Sequence, residues 1–314
     1  MQLSIIIPVY DVEEYFRECL MSVVALQNIC FEVIIIHDPL VDNSLNNVED
    51  IISQNDNIIV LDRKNAGLSV ARNDGLEIAK GDYIYFLDSD DKIIPKVFER
   101  IFFEGLIRHV DIMTGSYMYW DGSDYVDNEV SYKASLCTGE YYLTNIYPKD
   151  IAVVWKGIYS RSLFEKYALK FSRLKYFEDE DWTPRMFSHA NVIYYTNSVF
   201  YLYRVRDCSL SNDKFNKHKF SDLLKVSDNL VSYSQDFAGD LKTALQSLSF
   251  RCLFAIIGKM DDIQLSEKEY ESFISGIKNV HIVCPKYRGM WILSRISCRV
   301  FIQFTKLFFK LKSL

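Results

Sequence analysis

The chain has 314 residues, 49% hydrophobic and 25% charged, with 12 glycines and six prolines. That is enough apolar surface for one large or two ordinary domains, and too little Gly and Pro for a collagen-like, low-complexity or linker-rich polypeptide. The formal net charge of −6 gives nucleic acid no obvious attraction. The charge is uneven, however. Residues 285–314 hold Lys286, Arg288, Arg295, Arg299, Lys306, Lys310 and Lys312 and no Asp or Glu, so this +7 tail leaves −13 on the other 284 residues.

In chain order, Ser4–Pro8 reads as a short apolar strand and residues 13–27 carry helical spacing (Tyr15, Cys19, Val23, Leu26). Glu32–His37 and Ile58–Leu61 read as further buried strands. Ser69–Ala79 reads as a helix that Ser69 can cap, Gly81-Asp82 as a turn, and Tyr83–Leu87 as a fourth strand. Pro95 opens the next helix. Continuous β-branched and aromatic runs separated by helices predict an α/β fold with a mainly parallel sheet covered on both faces. Ligands of such sheets bind at the carboxyl ends of the strands. Here those ends carry Pro8-Val9-Tyr10-Asp11, Asp38 to Asp42, Asp62 to Asn65, and Asp88 to Asp91. Seven scattered cysteines without a C-x-x-C pair predict reduced thiols rather than a disulfide framework or a zinc site. No signal peptide and no membrane-spanning run of about 18 apolar residues is expected.

The sharpest chemical signal is Phe86-Leu87-Asp88-Ser89-Asp90-Asp91. A hydrophobic strand ends and three carboxylates follow within four residues. Asp88 and Asp90 are two apart, so in extended backbone both project to one side and reach one hard cation, Mg²⁺ or Mn²⁺, that keeps positions open for diphosphate oxygens. Taken alone, the segment reads more readily as an acidic turn ahead of the Pro95 helix.

The ordered set SIIIPVYD (4–11), EVIIIHD (32–38), NAGLSVARNDGLEIAKGDYIYFLDSDD (65–91) and FEDEDW (177–182) resembles the family 2 glycosyltransferases, inverting enzymes of the nucleotide-sugar GT-A fold. The resemblance is strong over residues 1–115 and looser over 150–210. It implies a GT-A catalytic domain over 1–212, with a nucleotide-sugar-binding half (1–115) and an acceptor half (116–212), followed by a helical extension (213–284) and a basic tail (285–314). It also implies that Pro8, Val9 and Tyr10, with Glu13 beside them, line the base and ribose pocket. Asp38 would read the base, typically uracil, Arg72 would face the donor, and Ser89 belongs to the same donor segment. Asp88 would contact the ribose or sugar and share the metal with Asp90. The family's Asp-Asp-Gly-Ser-Thr-Asp after the second strand is here His37-Asp38-Pro39-Leu40-Val41-Asp42, and Asp11 stands where Asn is usual. Asp38 survives, but its loop exchanges glycine freedom for a proline-fixed φ.

The second acidic cluster, Glu178-Asp179-Glu180-Asp181 before Trp182 and Arg185, matches the family's E-D pair best at Glu178-Asp179, with Asp179 as catalytic base. Read without the family, it is an acidic helix start. Trp155 in VVWKGIY (153–159) reads either as a sugar-stacking face or as core. The tyrosines at 117, 119, 125, 132, 141, 142 and 147, with Trp120, suit carbohydrate or a half-buried sheet. Phe200–Arg204 followed by Ser209–Ser211 resembles the family's strand and closing loop near the diphosphate, with Arg204 or Arg206 as contacts.

From about residue 214 the chain reads as amphipathic helices over Phe215–Tyr233, Leu241–Met260 and Ser266–Ile277, the last with a Ser266/Glu269 capping box. Residues 288–312 alternate basic and apolar positions as a basic aromatic-rich helix, either an interfacial membrane anchor or a helix docked on the acidic body. The function these readings imply is an inverting, metal-dependent transfer of a sugar from a nucleotide diphosphate, UDP above GDP or dTDP, to a saccharide acceptor, lipid-linked, in cell-surface polysaccharide synthesis. The protein would lie peripherally at the cytoplasmic face of the membrane. The competing class is a catalytically silent GT-A-like protein that binds a nucleotide sugar or a partner.

Overall fold

The computed structural model describes residues 1–39, 43–64, 67–122, 133–147, 152–206 and 214–312. Its elements run β1 (Leu3–Val9), α1 (Phe16–Val24), β2 (Phe31–His37), α2 (Glu49–Ser53), β3 (Ile58–Asp62), α3 (Leu68–Ile78), β4 (Tyr83–Phe86), β5 (Lys92–Ile93) and α4 (Pro95–Ile107). There follow β6 (Ile112–Trp120), β7 (Ala134–Cys137), α5 (Gly139–Tyr141, continued by a π-turn to Ile146), β8 (Gly157–Ser160), α6 (Arg161–Tyr167), α7 (Glu178–Ser188) and β9 (Ile193–Arg204). The C-terminal helices are α8 (Lys217–Tyr233), α9 (Gly239–Lys259), α10 (Glu267–Asn279), α11 (Pro285–Ile296) and α12 (Cys298–Lys312).

Two compact units result. The first comprises Met1–Gly139, Val153–Arg173 and His189–Ser209; the second comprises Glu140–Ala152, Leu174–Ser188 and Leu210–Leu314.

The first unit is built on one sheet, ordered β3-β2-β1-β4-β8-β6-β9-β5, with β7 on β9. The four runs expected to be parallel are so: β3, β2, β1 and β4 pair in parallel, and β1 meets β2 from Leu3↔Phe31 to Val9↔His37. The second half of the sheet is mixed, with β8 antiparallel to β4 and β6, and β6 parallel to β9. Both faces are covered. Leu3, Ile5 and Ile7 share a core with Phe16, Cys19, Leu20 and Val23 of α1 and Phe98, Ile101 and Phe102 of α4. Ile6 points the other way, to α3, where a Cβ on Gly75 would come within 2.5 Å of it. Glycine is therefore required there for close helix–strand approach.

The Gly81-Asp82 turn has a similar cause. A Cβ on Gly81 would lie 2.4 Å from the Ser4 backbone nitrogen. The Gly81 N–H donates to Ser4 Oγ (2.7 Å), and that hydroxyl donates to Glu32 Oε1 (2.6 Å). One detail differs from expectation. Ser69 lies inside α3; the N-cap is Gly67 at φ +85°, whose carbonyl accepts from Val70 and Ala71. A left-handed cap position favours glycine.

The second unit is helical. The capping box of α10 is present, with Ser266 accepting from the Glu269 N–H and the Glu269 carboxylate accepting from the Ser266 N–H at 2.6 Å. The basic tail is two helices rather than one, broken where Ser297 is extended. It packs on α9: Phe301 stacks on Phe250 at 5.6 Å, Phe308 and Phe309 meet Phe254, and Lys306 pairs with Asp261. The opposite face of this tail leaves Ile296, Val300, Phe304, Leu307 and Leu311 exposed beside Arg299. No helix among the described residues is long and apolar enough to cross a membrane.

Candidate active site

The carboxyl ends of β2, β1 and β4 lie side by side, and most of the residues singled out in the first 115 positions gather there. Pro8 and Val9 are buried at the end of β1, and Val9 is in register with His37. Asp38 follows β2 and is buried; Tyr10 and Glu13 are exposed. Asp11 has φ +54°, a left-handed conformation that Asp and Asn tolerate better than other side chains, so the exchange of one for the other preserves this turn. The next turn is held by the Val12 N–H donating to buried Ser44 (3.0 Å). Of the sequence-predicted strand ends, Asp42 and Asn65 lie outside the described residues, as do Tyr125, Tyr132 and Ser209–Ser211.

The acidic segment after β4 is surrounded by cations. Arg72 of α3 donates to Asp88 Oδ1 at 2.9 Å. The Arg72 side chain is 1% exposed and its guanidinium lies 5.4 Å from the Phe171 ring centre, so Arg72 is buried and not a solvated helix residue. Arg206 Nε lies 2.7 Å from Asp90 Oδ2. Arg204 donates from Nε to the Asp90 carbonyl (2.9 Å) and pairs with Glu18 (3.2 Å). Its guanidinium sits 4.2 Å from the Trp120 ring and 4.9 Å from Tyr15. Ser89 is buried between the two aspartates. Arg204 and Arg206 line a cavity of about 600 Å³ together with Glu13, Tyr15 and Asp121.

Burial and the Asp88 charge push the Asp90 carboxyl above its ordinary range. Two repelling carboxylates with only oxygen donors, each already drawing a guanidinium, make a cation-seeking site. A divalent ion held by one or two carboxylates plus substrate phosphates needs no more protein ligands than this. Among the described residues no cluster of three or more His, Cys, Asp or Glu offers an all-protein metal cage.

The third carboxylate, Asp91, escaped the sequence reading, although its place in the acidic run was visible. It accepts from Tyr201 Oη (2.5 Å) and from the Arg204 N–H (2.7 Å). Burial, then the charges of Asp90 and Asp88, push its carboxyl up to about 8. An unfolded Asp titrates near 4. Between about pH 4 and 8 the folded chain therefore keeps a proton that the unfolded chain has lost, so the Asp91 contribution to stability declines as pH rises through that window. Asp91→Asn is expected to remove this slope. Thermal unfolding of both proteins from pH 5 to 8 should show the variant gaining on the wild type as pH rises; parallel profiles would contradict the assignment.

Trp155 is core. It is 2% exposed and stacked on Tyr201 at 4.0 Å and 6°, with Tyr117 and Tyr203 against it, so no ring face remains for a sugar. Tyr142 likewise packs, stacking on Phe187, whereas Tyr119 is exposed.

Glu178 and Asp179 open α7, in the second unit. Phe177 before them has φ +62°, unusual for a bulky residue and a local strain that fixes the direction of the helix start. Four acids in this first turn suit the helix dipole, but they divide by partner. Asp181 is fully buried, accepting from Arg185 (2.5 Å) and Asn229 (2.8 Å). Glu180 pairs with Arg251 of α9 at 2.6 Å. Those two tie α7 to its own unit. Asp179 is only partly buried.

Ligands of parallel α/β sheets bind beyond the carboxyl ends of the strands, where this acidic rim lies. The chain belongs to glycosyl transferase family 2: the family model matches residues 4–168, just over half of it. It is similar to glycosyltransferase GlyA of Streptococcus pneumoniae, 29% identical over 221 residues, 67% of this chain and 31% of that protein. It is also similar to the minor teichoic acid biosynthesis protein GgaB of Bacillus subtilis, 28% identical over 305 residues, 88% of this chain and 32% of that protein. The chain thus spans about a third of the length of these two relatives. Among solved structures, S. aureus TarS 1–349 in complex with UDP-GlcNAc superposes with a TM-score of 0.75 at 20% identity, over 99% of this chain and 92% of that one. The likeness establishes the GT-A fold.

Proposed function

We propose that the chain transfers a sugar from a UDP-sugar, with inversion, to a hydroxyl of a saccharide acceptor in cell-surface polysaccharide synthesis. The observation that carries this is the Asp88/Asp90 pair at the carboxyl end of β4, drawing two guanidinium groups, in a chain of this family. UDP is favoured because the fold is that of a protein solved with UDP-GlcNAc, and a surface-polymer acceptor because one relative is named for teichoic acid biosynthesis.

In this reading Pro8, Val9, Tyr10, Glu13 and Asp38 hold the nucleoside, and Arg72 orients Asp88 against the donor. Asp179, supported by Glu178, takes the proton from the acceptor hydroxyl as its oxygen attacks the anomeric carbon and the diphosphate departs. Asp88 and Asp90 would hold Mg²⁺ or Mn²⁺, which supplies Lewis-acid stabilisation of charge on the leaving group. The test is thermal shift with UDP-, GDP- and dTDP-sugars, with and without Mn²⁺. Stabilisation by the UDP compounds that requires metal is the expected result; no shift with any nucleotide would overturn the reading.

The exposed face of α12, with Val300, Phe304, Leu307 and Leu311 beside Arg299, and Ile296 at the end of α11, supports peripheral attachment to an anionic membrane at its cytoplasmic face, where a lipid-linked acceptor would be met. Co-flotation with phosphatidylglycerol vesicles should be lost in the Phe304→Ser/Leu307→Ser variant, and at high salt. Undiminished flotation of that variant would exclude this face as the anchor.

A further inference from the structure

Resting on the donor reading above, we propose that Arg206 is an exchangeable counter-cation of Asp90: it neutralises this carboxylate until a divalent ion takes it, then turns to the diphosphate of the nucleotide.

Two arginines stand beside the acidic segment, and they are held very differently. Arg204 is buried and anchored. Its N–H donates to Asp91, its Nε to the Asp90 carbonyl and its Nη2 to Glu18, and its plane lies between Trp120 and Tyr15. Arg206 lies one alternate residue further along, its side chain 22% exposed, its Nε on a carboxylate 19% exposed, and its guanidinium 5.6 Å from the Tyr15 ring. That pair reaches water in part, whereas the Arg204 side chain is 9% exposed.

A divalent ion on Asp90 and this guanidinium compete for the same oxygens, so metal alone must displace Arg206. The displaced guanidinium remains beside the cavity of about 600 Å³ that it lines. The cavity is also lined by Asp11, Glu13, Glu14 and Asp121, so a diphosphate would enter with the divalent ion, and it would then offer Arg206 the paired oxygens that a planar fork matches and offset what the metal had to displace. Metal and nucleotide therefore bind cooperatively, and Arg206 carries the coupling. It is a positioning residue for the metal site.

The experiment is Mn²⁺ titration followed by electron paramagnetic resonance, with and without UDP, on the wild type and on Arg206→Gln and Arg206→Lys. Circular dichroism confirms that the variants are folded. Without UDP, Arg206→Gln is expected to bind Mn²⁺ about tenfold more tightly than the wild type. UDP should tighten Mn²⁺ binding about tenfold or more in the wild type and only about threefold or less in Arg206→Gln. Arg206→Lys, which keeps a charge but not the fork, should fall between. Equal Mn²⁺ affinity of wild type and Arg206→Gln without UDP, with UDP-dependent Mn²⁺ binding intact, would overturn the exchange and leave the donor reading standing. Absence of Mn²⁺ binding in every protein, with or without UDP, would overturn both.

Discussion

Replacing Asp179 by asparagine is expected to lower kcat by about a hundred- to ten-thousandfold, with the affinity for UDP and the unfolding temperature both held. Asparagine fills the same space but cannot take the acceptor proton. The assignment rests on the match of Glu178-Asp179 to the family's acidic pair, and two other acids of α7 are committed to packing. Asp181 is fully buried between Arg185 and Asn229, and Glu180 is paired with Arg251, so both already serve the packing of their own unit. Asp179 is partly exposed at the first turn. The contrast gives the prediction its control. Asp181→Asn should lower stability along with activity, because it weakens a charge-assisted pair in a dry site. UDP release under saturating donor and acceptor, together with calorimetric UDP binding, separates the two effects. An Asp179→Asn enzyme within tenfold of the wild type would remove Asp179 from the role of base.

Asp88→Ala is expected to destabilise the fold by about 3–5 kcal/mol, and Arg72→Met by less, about 1.5–3 kcal/mol. The two substitutions break the same 2.9 Å pair, but they leave different charges behind. The Arg72 guanidinium is 1% exposed, whereas the Asp88 side chain is 27% exposed. Removing Asp88 takes the carboxylate from a charge that water cannot reach. Removing Arg72 leaves a carboxylate that water can hydrate in part. Urea unfolding of both variants measures the difference. Equal costs would show that unequal exposure does not set the penalty, and an Asp88→Ala cost under about 1 kcal/mol would show that the pair does little for the fold.

The strands and helices of the first 115 residues were legible because each is a local pattern. Mostly apolar runs at Leu3–Val9, Phe31–His37 and Tyr83–Phe86 have few alternatives to a buried parallel sheet, and Pro95 and the Ser266/Glu269 box mark helix starts by local chemistry. What failed was of another kind. The Gly67 cap displaced Ser69 because backbone sign, and not side-chain type, decided that helix start. Trp155 carried no signal to tell a sugar face from core, since its burial depends on Tyr201, some 46 positions away. The tail read as one helix because its pattern continues across the Ser297 break.

The sequence by itself determined the kind of fold and the position of its acidic motifs, since strand periodicity and a D-x-D run after a hydrophobic strand are properties of neighbouring residues. Only the tertiary structure decided what each charge does. Asp91, Asp181 and Glu180 differ from Asp90 and Asp179 in their partners, and those partners, Tyr201, Asn229 and Arg251, come from distant segments. The same holds for Arg72 and Arg206. A guanidinium on a helix or a strand end has no fixed role until folding sets how much water reaches it and which carboxylate it meets.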